Sequence, residues 1–198
     1  MIKVTTTRGL CALAIAAAGL IATAGPAAAD TSLNPPPPSF YTCKATGRGT
    51  ICHGTISFEH FAGFDGTCPQ GFSILENGHK DETAARYYNR DGNLTRRVLH
   101  DIYPVGNPLN VLYNSQTGTS VPYSGDLTET DDLAVPGDFS SATSRQTGNL
   151  YTVALPGGGL LVHDVGNFTF APDGSILEDH GPKMLFSGQT DKLCAALA

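Results

Sequence analysis

The chain has 198 residues, with 12 Lys and Arg against 18 Asp and Glu and a formal net charge of −6. That sign argues against a nucleic-acid binder or a protein held on an anionic membrane surface. Tryptophan is absent, Gly reaches 23, and charged residues make up 15%, which leaves few segments suited to a charged, Ala/Leu/Glu/Lys-rich helix.

Residues 1–29 read as a secretory signal. Lys3 and Arg8 supply the positive start, Leu10 to Ala22 an apolar run, and Ala27-Ala28-Ala29 the small residues that signal peptidase needs. Cleavage is expected before Asp30, and Cys11 leaves with the signal. The apolar run is shorter than the ~20 residues a membrane span requires, and no later segment qualifies. No membrane association is expected after cleavage. One arginine, not a twin pair, points to the general secretory route. Residues 30–39 form a Pro-rich arm carrying Pro35 to Pro38, read as an extended, loose leader. Residues 40–198 are of a length for a single β domain with a real core.

Four cysteines remain after the signal: Cys43, Cys52, Cys68 and Cys194. An even count in an exported chain reads as two disulfides. Gly47-Arg48 suits a two-residue type II′ hairpin turn. That register sets Thr46 opposite Gly49 and Cys43 opposite Cys52 at a non-hydrogen-bonded pair, close enough to bridge. Cys68–Cys194 follows by elimination. The thiol spacings fit no zinc pattern, so no metal is expected, and nothing calls for a cofactor.

Along the domain, 50–61 reads as a strand with Cys52, Ile56, Phe58 and His60 on one face, and Gly54 marks a bend or bulge. A Gly/Asp/Pro-rich loop follows over 62–71. Then comes a short strand, 72–75, ended by the turn signal Glu76-Asn77-Gly78. Residues 84–88 and 94–103 make a hairpin around Arg90-Asp91-Gly92-Asn93. Residues 111–123 make another around SQTG, with Pro122 at an edge or strand end. The longest irregular stretch is 128–146, an acidic lid or mobile loop with Asp131-Asp132 in solvent. Residues 146–182 run as strand, PGGG, strand, APDG, strand, an antiparallel meander. Residues 191–198 suit a terminal helix.

This traffic of short strands and tight turns predicts an all-β fold of roughly eight to ten strands. An antiparallel, calycin-like β-barrel is the preferred architecture, because several strands carry apolar residues on both faces. A two-sheet β-sandwich is the alternative.

From Tyr87 onward, YYNRDGNLTRR, NSQTGTSVPYSG and LLVHDVGNFTFAPDGSILEDHGP resemble a diffuse group of secreted β-rich proteins from high-GC Gram-positive bacteria. The resemblance covers roughly half of the exported chain and is mostly turn chemistry on strands. It implies export and an all-β fold, and it supplies no catalytic residue.

No catalytic signature is present. GxSxG and HExxH are missing, and Gly157-Gly158-Gly159 joins two strands with no helix behind it to aim N–H groups at phosphate. The six histidines are His53, His60, His79, His100, His163 and His180. Were the chain an enzyme, the candidates would be His100, His163, Asp164, Glu178 and His180, since nearby acids can orient an imidazole. The preferred expectation is a secreted, non-catalytic β-barrel that binds a small apolar ligand or a cell-surface partner. The alternatives are an extracellular hydrolase or barrel-type cyclase or isomerase, and a secreted inhibitor or cell-surface structural protein.

Overall fold

The computed structural model describes residues 32–155, 157–182 and 190–198. The secretory signal expected over 1–29 lies outside them. The described chain is all-β with one short helix. Its strands are β1 (Tyr41–Thr46), β2 (Gly49–Thr67), β3 (Ser73–Tyr88), β4 (Leu94–Tyr103), β5 (Val111–Asn114), β6 (Ser120–Leu133), β7 (Ala142–Leu155), β8 (Gly159–Phe170) and β9 (Ile176–His180), followed by α1 (Asp191–Leu197).

The strands form one antiparallel sheet in the order β1-β2-β3-β4-β6-β7-β8-β9, with β5 pairing β3 and β6. β4 and β5 therefore occupy one interrupted row between the same two neighbours. Both expected disulfides form. Cys43 and Cys52 face each other in the β1–β2 register, Cα atoms 3.9 Å apart, and Cys68 joins Cys194 at 5.6 Å.

One face of the sheet is buried. On β3 the even-numbered residues Ile74, Glu76, Gly78, Ala84 and Tyr88 are buried, as the pleat requires. At one end of this face Phe72, Ile74, Leu112, Val121, Val153 and Val162 pack under Leu193 and Leu197 of α1. At the other end Cys52, Tyr88, Leu94, Leu133 and Ala142 form a second cluster. Between the two apolar clusters lies a polar band.

Several expectations are corrected. The turn at Glu76-Asn77-Gly78 does not form; β3 runs straight through it. Residues 128–146 are not a long loop, because β6 and β7 pair from Leu133↔Ala142 through Glu129↔Gln146. Asp131 is buried, while Asp132 faces solvent. Gly54 carries no bulge. Its register is unbroken, and an added Cβ would stand 2.8 Å from the Phe40 ring, so the glycine makes room for that side chain.

The described part of the proline arm is docked. Asn34 donates its N–H to Gly92 O and accepts from Leu94 N–H, each at 2.8 Å. Tyr88 donates its hydroxyl to Pro35 O at 3.0 Å. Leu33 packs on the second apolar cluster. Proline carbonyls have no internal partners, and a buried phenol needs an acceptor, so each satisfies the other.

Candidate functional site

Glu76 sits where the polar band meets the first apolar cluster, to which Tyr123 belongs, and is 2% exposed. Three side chains from three other strands converge on it. Tyr123 of β6 donates its hydroxyl to Oε1 at 2.5 Å, and Tyr151 of β7 donates to Oε2 at 2.9 Å. His60 Nε2 of β2 lies 3.0 Å from Oε1. In a flat sheet β3 and β7, three strand steps apart, would be separated by about 14 Å. The Tyr151–Glu76 bond therefore requires a sheet that curls over its buried face.

Gly78 makes the convergence possible. A Cβ there would lie 2.1 Å from His60 Cε1 and 2.4 Å from the Tyr123 hydroxyl. Tyr103 of β4 completes the group. Its ring meets His60 edge-on with centroids 5.7 Å apart, and the Tyr103–Tyr123 and Tyr123–Tyr151 centroids are 5.6 and 5.4 Å apart. The result is a row of three phenols beside one carboxylate.

Burial pushes all three phenols above the ordinary tyrosine range. For Tyr123 the hydrogen bond to Glu76 adds to burial; for Tyr151 the charge of Glu76 comes next. For Tyr103 the further push comes from Asp101, then Glu76, Glu82 and Glu129. These groups stay protonated at neutral pH and act as donors or apolar faces, never as bases.

The band continues with two charge sets on the same face. Lys80 Nζ lies 2.6 Å from Asp101 Oδ2 and 3.1 Å from Glu82 Oε2. Arg97 Nε donates to Asp131 Oδ2 at 2.6 Å and Nη2 to Glu129 Oε1 at 2.8 Å. Ser144 and Gln146 of β7 satisfy the remaining oxygens of that pair of acids. The Arg97 guanidinium also lies 5.1 Å from the centre of the Phe139 ring. A cleft of about 390 Å³ opens beside Arg97, Glu129, Asp131 and Gln146, so solvent reaches this end of the band.

The five residues singled out from sequence are not brought together. His100 is on the outer face, 2.8 Å from Asp126. His163 is exposed and shares a hydrogen bond with Thr152. Glu178 is exposed and accepts from Thr169, and His180 is exposed on β9. Only Asp164 is buried; it pairs with Tyr151 across β7 and β8 and contributes to holding that phenol protonated. His163 and Asp164 are sequence neighbours, so the pleat sends them to opposite faces. Among the described residues, no group of three His, Cys, Asp or Glu side chains is placed to hold a metal ion.

Sequence reasoning missed Glu76, Tyr103, Tyr123 and Tyr151, and it gave His60 no site role. One usable signal was His60 on the row of Cys52, Ile56 and Phe58, a polar residue ending an apolar face. Comparisons with family models, with curated proteins and with solved structures find nothing that matches this chain.

Proposed function

We propose that this chain is an exported, single-domain β-barrel protein that binds a small organic molecule on the buried face of its sheet. Glu76 carries the reading. A carboxylate 2% exposed and contacted from three other strands is costly to bury, and apolar side chains of similar volume commonly serve a core as well or better. The band also lies between two apolar clusters, as in pockets where a few polar groups orient a ligand held by apolar walls.

Export is supported by the charged, apolar and small-residue segments at the start of the sequence and by two disulfides. Among the described residues no helix is long and apolar enough to cross a membrane. A barrel-like form is supported by the curl that brings β3 and β7 side chains into contact, although β1 and β9, at the two ends of the strand order, do not pair among the described residues. Binding is preferred over acid–base catalysis for a geometric reason. His60 Nδ1, the nitrogen not engaged with Glu76, is buried against Gly78 and out of contact with solvent.

Ligand-detected NMR of a fragment library, followed by protein-observed spectra of the hits, on protein purified from culture supernatant tests this function. Fragments should bind saturably and shift the His60 ring resonances, and Glu76→Leu should abolish those hits. Hits confined to the outer face, or none at all, would refute it. Conversion of a bound fragment into product would replace the binding reading with an enzymatic one.

A further inference from the structure

We propose that Lys80 and Asp101 condense into an isopeptide bond in the folded protein, a covalent tie between β3 and β4 with Glu82 as the proton carrier. Lys80 Nζ lies 2.6 Å from Asp101 Oδ2 and 3.1 Å from Glu82 Oε2. Glu82 and Asp101 stand opposite each other in the β3–β4 register, and Lys80 is the next residue of β3 on the same face. A nitrogen hydrogen-bonded to a carboxyl oxygen is about 3–3.5 Å from the carboxyl carbon, the separation of a near-attack conformer. The three side chains are largely shielded, exposed by between 11% and 14%. Phe58 of β2 covers the ammonium, its ring centre 4.8 Å from Nζ.

A second observation separates this triad from an ordinary ion pair. Asp101 Oδ1 is buried with no hydrogen-bond partner among the described residues. An unpaired oxygen costs more on a buried carboxylate than on a neutral amide, so the product suits this position better than the charged reactants do. The Arg97 set differs: Ser144 and Gln146 complete the oxygens of Asp131 and Glu129, and a guanidinium stays charged. The condensation balances without a co-reactant. The ammonium passes a proton to Glu82, and the neutral amine attacks Cγ of Asp101. The C–N bond forms and one C–O bond breaks. The departing oxygen leaves as water with the two protons lost by nitrogen, delivered through Glu82, which ends as the carboxylate it began as. Holding amine and carboxyl in place supplies an effective concentration on the order of 10⁵ M or more. Shielding from water protects the amide once made.

Intact mass spectrometry of the exported, folded protein tests the bond. Its mass should fall short of the value calculated with two disulfides by one water. Arg86, Arg90, Arg96 and Arg97 lie between the two residues. Trypsin acting on the unfolded chain should therefore part Lys80 from Asp101 unless they are joined. A branched peptide holding both, located by fragmentation, should be the main form. Lys80→Arg keeps the charge and removes the nucleophile; Glu82→Gln keeps the shape and removes the proton carrier. Each should return the chain to its full calculated mass with the branched peptide lost. The digest of the native chain decides the matter even where a variant does not fold. A native chain of full mass, or a water deficit traced to another residue such as Asp91 beside Gly92, would overturn the proposal.

Discussion

Glu76 and Gly78 belong to the same face of β3 and depend on each other. The carboxylate needs donors from across the sheet, and the missing Cβ at Gly78 lets His60 and Tyr123 reach it. Gly78→Ala should therefore displace the His60 ring and cost about 1–3 kcal/mol, the range for overpacking a filled site. Chemical denaturation and the His60 imidazole resonances would show it, and unchanged resonances would contradict the geometry. Tyr151→Phe removes one donor from Glu76 Oε2. It should lower stability by about 1–3 kcal/mol, because a buried acceptor loses a partner that water cannot replace.

At the scale of elements, β3 decides what was legible. Its hairpin with β4 was visible because Asp91-Gly92 marks the turn and Gly92 adopts positive φ, 79°, at no steric cost. Its first half was hidden because Glu76-Asn77-Gly78 carries the same turn chemistry. Only partners remote in sequence show why a glycine is needed there. The same limit hid Asp131: an acidic pair among Ser and Thr reads as a loop until Arg97, 34 residues away, is placed beside it. The Cys43–Cys52 bridge was legible because its register is local. Cys68–Cys194 closes a separation of 126 residues and ties α1 over the first apolar cluster. Replacing Cys68 and Cys194 with serine should cost about 4–5 kcal/mol in the chain-entropy account, more than replacing Cys43 and Cys52, whose separation is 9. Paired urea titrations of the two double variants measure the difference; equal losses would mean α1 is held by packing alone.

At the scale of the whole molecule, the curled sheet encloses a band whose protonation differs from that of the unfolded chain. Tyr103, Tyr123 and Tyr151 are all raised by burial and then by nearby carboxylates. Their contribution to stability is complete below the unfolded value of about pH 10 and is lost as pH climbs through their folded values. Each phenol still neutral in the folded state should remove roughly 1 kcal/mol of stability per pH unit above that point. Unfolding midpoints from about pH 8 to about pH 11, with tyrosinate absorbance alongside, would show a plateau and then a fall.

A single experiment separates a ligand site from a polar core that merely holds the sheet. The triple variant Glu76→Met, Tyr123→Phe, Tyr151→Phe removes the buried carboxylate and both of its phenol donors at nearly constant volume, while His60 keeps contact with solvent, its side chain 25% exposed. Its unfolding free energy and its affinity for a small-molecule fragment that binds the native chain are measured on the same preparation. A polar band kept for recognition predicts stability equal to or above that of the native chain together with lost binding. A drop of several kcal/mol with affinity retained would contradict it, because the band would then be support for the fold and nothing more.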